Sequence, residues 1–327
     1  MIVLGIESTA HTFGVGIING KGDVLSSNRD MYKPKLGEGF TPFDLAEHHY
    51  NGCLKTLKSA LSGSELKLRD IDVIAFSQGM GIPNSLKVGA VLARYLALKF
   101  NKPLVGVNHG IAHIEIGKFK TCAKDPVIVY LSGGNSQILA YIDSRYRIFG
   151  ETLDIPIGNA FDVLAREMDL QMPGGPEIEK SANGGKFVEL PYVVKGMDMS
   201  FTGIMTAAME KFRDGVDKKT VSYSMQETCF SMLVEVTERA LAHTNKKEVL
   251  LVGGVAANKR LQEMMSIMCR DRKAEFYVVP MEFSGDNPVM IAYTGFLAFT
   301  SGQKLKISDS SVRQNWRTDE VEISWII

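Results

Sequence analysis

The sequence predicts an α/β protein of two similar lobes, each a mixed sheet flanked by helices. Three observations carry this. A pattern of strand, polar turn, strand and strand opens the chain and recurs after residue 126. Alternating strands and helices follow each opening, an order that covers both faces of a sheet. A length of 327 residues, 45% hydrophobic and 23% charged, suffices for two ordinary cores in a water-soluble chain.

In chain order, the first opening comprises residues 2–6, the turn Glu7-Ser8-Thr9-Ala10-His11-Thr12, residues 13–18 and a third strand near 24–27. Apolar periodicity then gives a helix over 44–61, a buried strand over 71–76, a helix over 85–100 and a strand over 103–107. That strand feeds Val107-Asn108-His109-Gly110-Ile111-Ala112-His113, read as a helix start. The second opening comprises 127–131, the turn Ser132-Gly133-Gly134-Asn135, 136–142 and a strand near 146–149. Helices over 157–168 and 223–244 follow, then a strand over 248–252 that opens onto Gly253-Gly254-Val255-Ala256-Ala257-Asn258. A strand over 275–279 and a helix over 288–299 complete the plan. The lobes are expected at 1–122, with 291–327 returning to it, and at 123–290, meeting in a cleft near 120–130.

Lys+Arg and Asp+Glu each total 37, so the formal net charge is zero. Proteins that grip nucleic acid unaided are strongly basic, because phosphate contacts supply most of the affinity. A chain of this balance that acts on RNA requires a local basic patch or partner proteins. Cys53, Cys122, Cys229 and Cys269 have no paired spacing and read as buried free thiols in a reducing compartment. The N-terminus lacks the features of a signal peptide, and no apolar run approaches the ~18 residues of a membrane span. A cytoplasmic protein with no membrane association is expected.

His109 and His113 are four residues apart. On a helix that spacing puts both rings on one face, where they either grip one metal ion or simply pack. A zinc protease helix reads His-Glu-x-x-His with the Glu as base for water; position 110 here is glycine. Ser132-Gly133-Gly134-Asn135 is either a hairpin connector or a turn whose N–H groups approach a phosphate. Gly253-Gly254 joins a buried strand to a helix start, where free N–H groups favour anions. Asn258 just inside that helix suits a base or ribose, and the same segment also reads as a plain strand-to-helix turn. Asp162 and Glu179 lie beside glycine-bearing turns and suit ribose hydroxyls, though each alone reads as a helix cap or surface acid. Asp286, in Phe283-Ser284-Gly285-Asp286-Asn287-Pro288, is either an N-cap or a carboxylate ligand to a metal held by the two histidines. Two histidines and a carboxylate with open positions make a catalytic rather than a structural site. His48-His49 suit capping or packing, His243 suits a helix C-terminus, and His11 in the first polar turn could approach the cleft.

Taken together these motifs resemble the universal tRNA threonylcarbamoyladenosine transferases. That family was formerly labelled O-sialoglycoprotein endopeptidase, and its archaeal and eukaryotic members are the catalytic subunit of the KEOPS complex. The resemblance runs from Gly5-Ile6-Glu7-Ser8-Thr9-Ala10-His11-Thr12 to Arg317-Thr318-Asp319-Glu320-Val321, with Tyr130-Leu131-Ser132-Gly133-Gly134-Asn135, Gly158-Asn159-Ala160-Phe161-Asp162 and Gly285-Asp286-Asn287 between them. It implies an actin-like (ASKHA) fold of two RNase H-like lobes. It implies one Fe2+ per subunit, or Zn2+, bound by His109, His113, Asp286 and the phenolate of Tyr130. It implies an adenine-nucleotide pocket, for threonylcarbamoyl-AMP or an ATP or AMP analogue, formed by Tyr130, Leu131, Ser132, Gly133, Gly134, Asp162, Gly175, Glu179 and Asn258. The reaction implied moves a threonylcarbamoyl group from threonylcarbamoyl-AMP to N6 of the adenosine following the anticodon in tRNAs that read ANN codons. Implied partners are tRNA, a separate atypical kinase-like subunit and small KEOPS subunits. The sequence departs from the family at Met80, usually proline, at Lys87, usually arginine, and in Thr41-Pro42-Phe43-Asp44, which lacks a basic residue after proline.

No residue presents itself as a general base, so the AMP phosphate is expected to take the proton. Glu7, in a polar turn expected to face the cleft, is the candidate catalytic positioning residue. Three rivals fare worse. A metalloprotease lacks its base at Gly110. An actin-like sugar kinase or ATPase needs aspartate for Mg2+ in the first phosphate turn, where this chain has Glu7. A nucleotide-binding scaffold has no need of the full ligand set.

Overall fold

A computed structural model describes residues 1–34 and 39–326. The first half runs β1 (Ile2–Glu7), β2 (Thr12–Asn19), β3 (Val24–Met31), α1 (Pro42–Gly63), β4 (Val73–Gly79), α2 (Pro83–Phe100), β5 (Leu104–Asn108) and α3 (His109–Thr121). The second runs β6 (Val127–Leu131), β7 (Ser136–Ile142), β8 (Arg145–Glu151), α4 (Ile157–Glu167), α5 (Gly174–Ser181), the short pair β9 (Val194–Lys195) and β10 (Asp198–Met199), α6 (Thr202–Arg213) and α7 (Lys218–Thr244). It ends with β11 (Glu248–Val252), α8 (Lys259–Asp271), β12 (Glu275–Val278), α9 (Met281–Ser284) and α10 (Pro288–Thr300).

The five-stranded sheets are ordered β3-β2-β1-β4-β5 and β8-β7-β6-β11-β12. In each, an antiparallel meander supplies three strands and two parallel strands extend it. The sequence duplication is thus a duplication of sheet topology. β1 and β6 are central and buried along nearly their whole length, as strands covered on both faces must be. One face of the first sheet (Leu4, Ile6, Ile74, Phe76) packs under α1 and α2. Its other face (Val3, Val73, Ala75, Val105) joins a core that continues into the second half.

Two helices make that continuity. The first nine residues of α3 are all buried, and it touches both β5 and β11. Helix α10 lies across β1, β2 and β4, with glycine admitting the close approach. A Cβ at Gly5 would sit 2.4 Å from the Ala292 nitrogen and 2.6 Å from the Pro288 carbonyl oxygen, both backbone atoms that cannot swing aside. Gly5→Ala is therefore expected to cost about 1–3 kcal/mol, the usual penalty of overpacking. Gly20→Ala, whose new methyl meets nothing closer than 3.5 Å, should change stability by less than about 0.5 kcal/mol. Urea unfolding of the two variants measures the difference, and equal stabilities would refute the packing account.

Several expectations need correction. Helix α7 begins at Lys218 rather than 223, because Asp217 accepts from the Lys219 and Thr220 nitrogens and caps it five residues earlier. Helices α5 and α6 were not foreseen; α5 is only eight residues long and opens on Gly-Gly-Pro. Of the cysteines, Cys229 and Cys269 are buried, but Cys122 is exposed, because it ends α3 in a left-handed conformation at the surface. Among the described residues no helix is long and apolar enough to cross a membrane.

Candidate metal and nucleotide site

Asn108 ends β5 and caps α3, its side chain accepting from the Ile111 nitrogen while its amide donates to the Trp316 carbonyl. This fixes the first turn, and with it the buried rings of His109 and His113, whose centroids are 4.7 Å apart. Asp286 is not the cap of α10. Asn287 takes that role, accepting from the Met290 nitrogen and donating to the carbonyls of Phe283 and Gly285. The Asp286 carboxylate is thereby released toward α3. Its Oδ1 lies 3.3 Å from Nε2 of His109 and 3.4 Å from Nε2 of His113. All three residues offer ligand atoms within 4.8 Å of one another.

Tyr130, near the end of β6, is fully buried, and its ring centroid is 5.3 Å from that of His113. Its hydroxyl has no hydrogen-bond partner among the described residues. An orphaned buried hydroxyl calls for an explanation, and a cation shared with two imidazoles and a carboxylate provides one. The donor set of two nitrogens and two oxygens fits Fe2+ or Zn2+.

Glu7 stands behind His109, not in the cleft. It is fully buried; Oε1 accepts from the nitrogen and hydroxyl of Thr9, and Oε2 lies 3.1 Å from Nδ1 of His109. The expectation that Glu7 faces the cleft is corrected on that geometry. A carboxylate on the far nitrogen of a metal-binding imidazole sets its tautomer and orientation. Burial opposes a charge on His109, but Glu7, Tyr130 and Asp286 outweigh it and hold the metal-free ring protonated well above the usual range. Burial likewise resists ionisation of Asp286, and the charge and hydrogen bond of His109 overcome that to hold the carboxyl well below the ordinary range. Burial raises Tyr130, and metal binding there must release protons.

Three segments converge beside this cluster. In the turn after β6 the Ser132 hydroxyl accepts from the nitrogens of Gly134 and Asn135, so part of the expected anion nest is already satisfied. Gly133 and Gly134 are exposed, and a methyl added at either would meet nothing within 4 Å. Gly158 brings α4 against this turn, a Cβ there meeting the Ser132 oxygen at 2.6 Å. Gly253, at φ +93, presses its own turn onto the Leu131 carbonyl. Leu131 is fully buried in the core, so only its backbone can serve a ligand.

The polar residues expected to line the pocket tie its walls together. Asp162 Oδ1 accepts from the Gly174 nitrogen at 2.6 Å, joining α4 to α5. Glu179 Oε1 accepts from the Lys259 nitrogen at 2.7 Å, joining α5 to α8. Asn258 lies at the cap rather than inside α8; its Oδ1 accepts from Leu261 and its Nδ2 donates to Gln226, engaging both ends of the amide. Asp162 and Glu179 each keep a second oxygen. Gly175 has open space beside it.

Sequence reasoning missed Asn287, although Asn-Pro at a helix start is a cap signal, and it missed Met80. That residue touches the turn after β6, where Asn135 Nδ2 donates to its Sδ at 3.2 Å. The departure at Met80 therefore does lie at the cleft. His11 stacks on Phe40 and stands outside the metal cluster, and His243 packs against Phe149.

A sequence model described as tRNA N6-adenosine threonylcarbamoyltransferase matches residues 23–293. A Thermococcus gammatolerans protein of the same name is 54% identical over 327 residues, covering 99% of this chain and 100% of that one. A Methanococcus maripaludis protein, named a probable bifunctional tRNA threonylcarbamoyladenosine biosynthesis protein, is 51% identical over the whole chain. The chain spans 60% of that longer relative. Among solved structures, full-length HypF in its phosphate- and nucleotide-bound form aligns at TM-score 0.63 and 12% identity, over 92% of this chain and 47% of that one. The fold is of the actin-like ATPase class.

Proposed function

Because the chain belongs to the tRNA N6-adenosine threonylcarbamoyltransferase family, we propose that it transfers the threonylcarbamoyl group of threonylcarbamoyl-AMP to N6 of the adenosine 3′ of the anticodon in tRNAs reading ANN codons. The observation that carries the mechanism is the junction of His109, His113 and Asp286 beside the orphaned Tyr130 hydroxyl. In the transfer, adenine N6 bonds to the carbamoyl carbon and the bond from that carbon to the phosphate oxygen breaks. AMP leaves, and its phosphate takes the N6 proton. A divalent ion held by His109, His113, Asp286 and Tyr130, Fe2+ with Zn2+ as the alternative, supplies Lewis-acid polarisation of the carbamoyl carbonyl when bound.

The chain's own residues do the rest. Glu7 orients His109 through Nδ1. The open glycines 133, 134 and 175 leave room for the AMP end, and Asp162, Glu179 and Asn258 fix the pocket walls that hold it. Peptide hydrolysis gains no support, since even a Cβ at Gly110 would meet the Thr318 hydroxyl at 2.8 Å and leaves no room for a glutamate. A kinase role for Glu7 gains none either, because its carboxylate is fully buried.

Partners belong to the same proposal: tRNA as substrate, a kinase-like KEOPS subunit and small KEOPS subunits. Support comes from the adjacent helices α1 and α2, which expose Tyr50, Leu54, Val91, Tyr95 and Leu98 together. Exposed apolar stripes of this kind mark protein contacts, and the zero net charge leaves tRNA capture in need of help. The test is incubation of the metal-loaded chain and these partners with threonylcarbamoyl-AMP and unmodified tRNA. Mass spectrometry should find one threonylcarbamoyl group per tRNA and equal AMP, and neither when the target adenosine is replaced by guanosine. Absence of the modified nucleoside with all components present would overturn the reading.

A further inference from the structure

A second concavity shares no residue with the metal site. It is an open groove of 480 Å³ between α7 and the segment 187–192. The segment is held in place, since the Lys186 nitrogen donates to the Thr220 hydroxyl and the Val188 nitrogen to the Ser224 hydroxyl. The groove is therefore formed before anything binds, which lowers the entropic cost of binding. Phe187, Tyr192 and Tyr223 supply aromatic surface, Glu189 and Glu227 supply carboxylates, and no lining residue is lysine or arginine. Arg260 engages Glu227 through two hydrogen bonds. Glu189 is exposed and has no ion pair or hydrogen bond among the described residues.

Thr228 adds an independent observation. It lines the groove at 5% exposure, and its hydroxyl has no partner among the described residues. Ser224, Thr237 and Thr244 of the same helix each return their hydroxyl to the carbonyl four residues earlier. Thr228 does not, and so leaves an unused acceptor beneath the aromatic rings.

We propose that this groove receives an arginine side chain from a basic segment of a protein partner. A guanidinium is planar, stacks on aromatic faces and carries five donors, enough to serve the Thr228 hydroxyl and the Glu189 carboxylate together. Phosphate or carboxylate would be repelled by the two glutamates, and an apolar group would leave the hydroxyl unsatisfied. The groove is open along one side, so a free guanidinium would stay largely hydrated. A peptide delivers the same group with flanking contacts.

Fluorescence anisotropy of labelled Gly-Arg-Arg-Gly with the full chain tests this. Saturable binding is expected, weaker for Gly-Lys-Lys-Gly. Glu189→Gln, a surface change, and Thr228→Val, which keeps the shape, should each weaken the arginine peptide by about three- to tenfold. Thr228→Val should melt no lower than the parent, which separates loss of a ligand contact from loss of structure. Equal affinity of the parent and both variants would overturn the proposal, as would preference for a labelled oligouridylate lost in the same variants.

Discussion

Alanine at both His109 and His113 is expected to abolish metal retention and to lower threonylcarbamoyl transfer by about 10³-fold or more, the scale set by losing an electrostatic group that acts on the transition state. The two Nε2 atoms converge on one Asp286 oxygen, so removing them leaves a carboxylate and a phenol, too few donors for a tight divalent site. Elemental analysis of the purified variant reads the first effect and nucleoside mass spectrometry the second. The double variant also strands buried carboxylates at Glu7 and Asp286, and breaking a buried pair is itself destabilising by about 3–5 kcal/mol. Asp286→Asn is therefore the companion: it keeps the shape and leaves both imidazoles in place, and it should still lose metal. Full tRNA modification by a metal-free preparation of either variant would sink the metal's role.

The duplicated plan was legible because it rests on periodicity. Each meander opens on an apolar run, a polar turn and a second run, and the two sheets have the same strand order. The histidine pair was legible because spacing on a helix fixes its face. Asp286 was less so. From sequence it reads equally as cap or ligand, and only the structure places the cap on Asn287 one residue later. The roles of Asp162, Glu179 and Asn258 were hardest to see. Each makes a tie to a backbone or side chain far along the chain, such as Asn258 to Gln226 32 residues away, and no local pattern encodes such a partner. The groove beside α7 left no sequence signal for the same reason.

Glu7 shows how burial decides a role that sequence could not. It ends β1, a strand buried on both faces, so alternation cannot say which way it points. In the structure its carboxylate reaches Nδ1 of His109 and the Thr9 nitrogen. Thr9 holds the carboxylate, the carboxylate holds the imidazole, and the imidazole presents Nε2. Glu7→Gln keeps the volume but removes the charge that fixes the ring, and should weaken metal affinity by about 10–100-fold, the usual effect of losing such a partner. Positioning and direct proton transfer then differ in one readout. If Glu7 only positions His109, transfer by Glu7→Gln returns close to the parent rate when metal is raised to saturation, and metal titration curves shift without a change in the plateau. If Glu7 takes the N6 proton, the plateau itself stays low at any metal concentration. The full burial of Glu7 favours the first outcome, and a metal-independent loss of rate in this variant would reverse the assignment.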